Sequence, residues 1–132
     1  MLFSTVRQIF RQTLVDEIAG DYPIFFENVA YAPVANQTHL RVAMIPSNGL
    51  VIDMQGTQEN GGIFSIGIYA QADIGENELA TITDRLYNFY KSTFYYNQDG
   101  IQIAKNSVSV SQIRRLDNWA ACNVDVTWIT YS

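Results

Sequence analysis

A chain of 132 residues that is 48% hydrophobic and only 16% charged has enough apolar matter for one domain with its own core, and too much for disorder. Its net charge of −5 argues against wrapping nucleic acid, which needs clustered Lys and Arg. A single cysteine, Cys122, excludes an internal disulfide, and no apolar run approaches the ~18–20 residues that cross a bilayer.

The first residues, Met1 to Gln8, lack the basic start and apolar run of a signal peptide, so a cytosolic site of synthesis is expected. No repeat, linker or low-complexity tract divides the chain, so residues 1–132 are read as one domain. Few charges and many tyrosines also suit a surface that meets another subunit.

The chain opens on an amphipathic helix. Phe3, Val6, Ile9, Phe10, Leu14 and Ile18 recur at intervals of three and four, while Arg7, Gln8, Arg11 and Gln12 face away. Thr5 and Gln8 have capping-box spacing, and Gly20 with Pro23 supplies a stop. Tyr22 to Pro33 then reads as an extended, aromatic-rich connection.

Strands follow. In Thr38–Ile45, Leu40, Val42 and Met44 alternate with His39, Arg41 and Ala43. Pro46-Ser47-Asn48-Gly49 signals a turn, and Leu50-Val51-Ile52 a short returning strand. The polar stretch Asp53–Gly62 reads as a projecting loop or hairpin tip. Ile63–Ala70 resumes alternation, with Phe64, Ile66 and Ile68 on one face.

A second helix carries the stripe Leu79, Ile82, Leu86, Phe89 and Tyr90. Glu76 and Glu78 favour the positive end of its dipole, and Lys91 the other end. Asn97-Gln98-Asp99-Gly100 is expected to end that region. Two closing strands, about Ser107–Ile113 and Ala121–Tyr131, complete the order. That order predicts an α+β fold: a mainly antiparallel sheet, two helices packed on one face, and a projecting β-hairpin or loop.

Signals for catalysis are weak throughout. The lone histidine, His39, reads as a surface or strand-start residue, and Cys122 shares the face of Val124 and Val126 as a core thiol. No His/Cys cluster has zinc-ligand spacing, and no Gly-rich phosphate loop is present. Glu76 and Glu78 diverge at a helix start, so no carboxylate pair for acid–base work stands out. No catalytic residue, cofactor or metal is assigned, and an enzyme is not expected.

Two features carry an assembly reading. Tyr95 and Tyr96, past the second helix, are either core or interface anchors. Between Arg41 and Arg85 there is no basic residue, yet Asp53, Glu59, Asp73, Glu76, Glu78 and Asp84 all fall there. This interval is either a solvated acidic face or a surface that lets an anion pass without sticking.

Three strings, Phe26-Glu27-Asn28-Val29-Ala30-Tyr31-Ala32-Pro33, Leu40-Arg41-Val42-Ala43-Met44-Ile45-Pro46 and Gly62-Ile63-Phe64-Ser65-Ile66-Gly67-Ile68-Tyr69, resemble the tail terminator family of long-tailed bacteriophages. The helix Gly75–Tyr90 and the closing Trp128-Ile129-Thr130-Tyr131 are similar too. The resemblance implies a structural virion subunit: one of six in a homo-oligomeric ring that caps the tail tube, stops its polymerisation and joins the head. Its expected partners are the tail tube protein and a head-tail connector or neck protein. DNA passes through the lumen unbound, and no membrane is involved.

On that footing the loop Asp53, Met54, Gln55, Gly56, Thr57, Gln58, Glu59 and Asn60 is the expected contact with a neighbour or the tube. Asp73, Glu76, Glu78 and Asp84 are the candidate lumen wall, with Asp53 and Glu59 from the same acidic interval. The rival readings are another neck or tail-completion ring protein, and a small ligand-binding or enzymatic α+β domain.

Overall fold

The computed structural model describes residues 2–18, 20–27, 31–33, 37–46, 50–51, 58–73, 75–92, 95–98 and 101–131. Two helices and eight strands appear among them: α1 (Leu2–Ile18), β1 (Ile24–Phe25), β2 (His39–Pro46), β3 (Leu50–Val51), β4 (Gln58–Gln71), α2 (Glu76–Ser92), β5 (Tyr95–Gln98), β6 (Ile101–Val110), β7 (Arg114–Leu116) and β8 (Trp119–Tyr131). They form one open, mixed sheet in the order β1-β2-β4-β8-β6-β5, with β3 added to β4 and β7 to β8. Only β1 and β2 run parallel; every other pairing is antiparallel.

Register explains the core. Leu40, Val42 and Met44 of β2 lie opposite Ile68, Ile66 and Phe64 of β4, which lie opposite Cys122, Val124 and Val126 of β8. Because side chains alternate along a strand, these rows share one face. All nine are buried. The apolar stripes of α1 (Val6, Ile9, Phe10, Leu14, Ile18) and of α2 (Leu79, Ile82, Leu86, Tyr90) belong to the same cluster. Phe10 lies 5.1 Å from Phe64 and 6.2 Å from Trp128, and Tyr90 lies 6.3 Å from Phe64, measured between ring centroids. The indole N–H of Trp128 donates to the Met44 sulfur at 3.1 Å, so the one polar atom of that ring is satisfied.

Several boundaries differ from the expectations. Gln58–Asn60 are not loop: they begin β4, paired with Val51 and Leu50 on one side and with Thr130 and Tyr131 on the other. Ladder hydrogen bonds on two sides hold a polar segment that no alternation marks. Residues 52–57, including Asp53 to Thr57, lie outside the described residues. Thr5 is inside α1 rather than at its cap, since the helix begins at Leu2. Asn97 and Gln98 are strand residues of β5, joined to β6 across Asp99-Gly100, a dipeptide strongly associated with two-residue hairpins. The sixth strand stops at Val110 instead of Ile113, and a short β7 resumes the pairing along β8.

Candidate functional site

The second face of the sheet has a different character. Alternation places His39, Arg41, Ala43 and Ile45 of β2 there, beside Tyr69, Gly67, Ser65 and Ile63 of β4 and Ala121, Asn123, Asp125 and Thr127 of β8. The end of this face at the start of β2 is aromatic. Its centre is polar.

His39 is buried, with 1% of its surface exposed, which corrects the surface reading; its place at the start of β2 stands. Its ring stacks on Tyr69 at 5.2 Å with planes 4° apart, and meets Trp119 edge-on at 4.7 Å and Phe25 edge-on at 5.4 Å. A carbonyl can only accept, so Nδ1–H donates to the Gln37 oxygen at 3.0 Å. Nε2 of the neutral ring then accepts from the Tyr31 hydroxyl at 2.7 Å. Burial pushes the His39 pKa below 6.5; the Gln37 hydrogen bond opposes this, and nearby Arg41 adds to it. Burial likewise raises the Tyr31 hydroxyl, with Tyr69 adding to the rise and Arg41 opposing it. A histidine with both nitrogens occupied and its faces covered is a structural pin, not a base awaiting a substrate.

Next to this pin runs a groove of about 340 Å³, whose walls include Phe25, Phe26, Tyr31 and Tyr69 and whose floor includes Arg41 and Gly67. The floor is close-packed: a Cβ on Gly67 would approach the Tyr69 ring to 3.0 Å and the Arg41 carbonyl to 3.3 Å. Glu27 closes one side. Its carboxylate accepts the Met44 N–H at 2.8 Å, taking over the edge of β2 just beyond the two residues of β1. Arg7 of α1 lies 3.8 Å from the same carboxylate. Arg41 itself is exposed and lies 4.1 Å above the Tyr31 ring; among the described residues no carboxylate pairs with it.

A third feature is the edge formed by the end of β6 and by β7. Residues 109–118 are all exposed. They include Val110, Ile113 and Leu116 at 45%, 40% and 41% exposure, around Arg114 and Arg115. At the gap between β6 and β7, Ser111 continues the pairing: its N–H donates to the Asn123 carbonyl, and its hydroxyl accepts the Asn123 N–H, both at 2.9 Å. Cys122 is buried against this seam and donates to the Ser111 carbonyl, as a core thiol should.

The acidic interval is divided by the fold. Asp73, Glu76, Glu78 and Asp84 are exposed around the end of β4 and along α2. Glu59 lies near the opposite end of β4, about 40 Å along the strand from Gln71 at ~3.3 Å per residue. Asp73, in a left-handed turn at φ 73°, forms an exposed pair with Arg115 at 2.7 Å. The Glu78 carboxylate accepts the Thr38 hydroxyl, which ties α2 to the start of β2. Tyr95 and Tyr96 fall on the terminal strand β5, in register with Ala104 and Ile103. Among the described residues no group of His, Cys, Asp or Glu is arranged to hold a metal, and no helix is long and apolar enough to cross a membrane.

The sequence reading did not single out Arg41, Tyr31 and Tyr69 as a group, nor Val110, Ile113 and Leu116 as a patch. The only local signal for the second was the pattern apolar-Arg-Arg-apolar at Ile113–Leu116, too short for periodicity to register.

Comparison of the chain with curated proteins finds no match. A solved structure shares the fold with a TM-score of 0.72, over 94% of this chain and 94% of its own, at 14% sequence identity. The model of the family described as phage tail terminator protein matches residues 5–128. That span takes in both helices nearly whole, the groove and the exposed edge, so the chain belongs to the phage tail terminator family and is a structural protein of the bacteriophage tail.

Proposed function

We propose that this protein closes the end of the tail tube as a ring of six identical subunits, stopping tube polymerisation and offering the surface to which the head joins. The tube protein below and a connector or neck protein above are its partners. It sits at the tail end of the virion, is made in the host cytoplasm, and catalyses nothing. DNA crosses its lumen without specific contacts. Asp73, Glu76, Glu78 and Asp84, exposed just past β4 and along the first half of α2, are the acids for the lumen wall in this reading.

The observation that carries the assembly part is the exposed edge at residues 109–118. An open strand edge with exposed apolar side chains is a template for pairing, and proteins cover it or guard it. Here Val110, Ile113 and Leu116 are left uncovered on an open sheet. The groove beside Arg41, on which the rival ligand-binding reading would rest, opens broadly to solvent.

The test is light-scattering mass on a sizing column with negative-stain imaging, for the wild type and for Leu116→Asp. The wild type should form six-membered rings, alone or on addition of tail tubes. Leu116→Asp should remain a folded monomer by circular dichroism and fail to cap tubes. A wild type that stays monomeric and leaves tube growth unchanged would overturn the reading.

A further inference from the structure

Two exposed regions each leave one charge unanswered, and the signs are opposite. In the groove wall the Glu27 carboxylate accepts the Met44 N–H and lies 3.8 Å from Arg7. Arg41 beside it pairs with no carboxylate among the described residues and has the Tyr31 ring instead. On the edge at residues 109–118 the pattern is reversed. Arg114 donates to the Asn123 side-chain oxygen at 2.9 Å, and Arg115 pairs with Asp73 at 2.7 Å. Asp117, the one acid of that stretch, pairs with no cation among the described residues.

The surroundings of the two charges also match. Leu116, 41% exposed, precedes Asp117 at the tip of the β7–β8 hairpin, where Leu116 pairs with Trp119. Asp117 holds a left-handed φ of 54°, and the Ala72 N–H donates to the Asn118 carbonyl at 2.9 Å. A tip held in this way loses little freedom on binding. An aliphatic side chain next to an acid fits a groove walled by Phe25, Phe26, Tyr31 and Tyr69 around an arginine. One chain cannot join its own two regions. From β2 to β7, across β4 and β8, is three strand spacings, about 14 Å at ~4.8 Å each. Trp119 also stands four residues along β8 from Asn123, whose row holds Gly67 and Arg41, about 13 Å at ~3.3 Å per residue.

We propose that the groove beside Arg41 receives the β7–β8 hairpin tip of a neighbouring copy, with the Asp117 carboxylate on the Arg41 guanidinium and Leu116 against the aromatic walls. Donor and receptor lie towards opposite edges of the sheet, so the contact is head-to-tail and repeats around a closed ring. The proposal rests on the ring reading and names a contact that holds the ring together.

Association is read by light scattering on a sizing column, with and without tail tubes. Arg41→Glu and Asp117→Lys should each move the association midpoint about tenfold or more to higher concentration, because like charges then meet at the contact. Their 1:1 mixture should return it toward wild type, since each chain then meets its opposite charge. Asp117→Asn, which suits the left-handed turn, should weaken association without lowering the melting temperature. Oxidation of the Ala43→Cys/Leu116→Cys variant should give a ladder of covalent multimers, while either single variant should not. Rings with an unchanged midpoint in Arg41→Glu and Asp117→Lys, and no ladder, would overturn this contact and leave the ring standing. A wild type that never associates, with or without tubes, would overturn both.

Discussion

The two faces of one sheet divide the work of this molecule. The same strands, β2, β4 and β8, send Leu40, Val42, Met44, Phe64, Ile66, Ile68, Val124 and Val126 to one side, into a cluster completed by the stripes of the chain's own helices. To the other side they send Arg41, Ser65, Gly67, Asn123 and Asp125, which no helix stripe joins. At the start of β2 that second face is closed locally, by Phe25, Tyr31, Tyr69 and Trp119 around His39. A face covered by the chain itself supplies stability. One left half-open is free for contacts with other molecules.

The sharpest way to break this comparison is to truncate each face and compare the costs. Phe64→Ala removes a fully buried ring that touches both Phe10 and Tyr90, and should cost about 3–5 kcal/mol in chemical denaturation. A cost below about 1 kcal/mol would mean that the helix-covered face is not where the stability lies.

His39 probes the boundary between the faces. His39→Ala should cost about 2 kcal/mol or more, as for other buried side chains of similar size. It should also change the pH profile. The folded-state pKa lies below the unfolded value of 6.5, so the unfolded chain binds the proton first as pH falls. The contribution of neutral His39 is thus complete above about pH 6.5 and is lost as pH drops through the folded value. Melting temperature in the wild type should fall over that window, more steeply than in His39→Ala. Parallel profiles would show that the pin is not protonation-sensitive.

The smallest effect belongs to the polar centre of the open face. One carboxylate oxygen of Asp125 is buried and makes no hydrogen bond among the described residues. Burying an unpaired polar atom is costly, so Asp125→Thr should leave monomer stability unchanged or raise it by about 1 kcal/mol. A large loss on denaturation would show that this face contributes to the fold as strongly as the helix-covered one.

Legibility followed the burial of each element. The helices α1 and α2 were readable because each lays an apolar stripe on a core, and a stripe imposes a period of 3.6 residues. Strands β2 and β8 and the second half of β4 were readable because one face is buried and the other is not, which imposes a period of two. The start of β4 was not: Gln58-Glu59-Asn60-Gly61-Gly62 has no apolar alternation, and neighbours distant in sequence, Leu50 and Tyr131, recruit it. The strands β1 and β7, two and three residues long, are below the length at which any period shows. Asp99-Gly100 does carry a hairpin signal for β5, but the same dipeptide serves equally well as the end of a helical region.

By itself the sequence determined the core face, both helices and the family, because these depend on periodicity and local strings that neighbouring residues carry together. Tertiary structure alone decided that His39 is buried, that Arg41 lies over the Tyr31 ring with no carboxylate paired to it among the described residues, and that Glu59 is carried away from Asp73 along the length of β4. His39, Tyr69 and Trp119 are far apart along the chain, and only the pairing of β2, β4 and β8 brings their rings together.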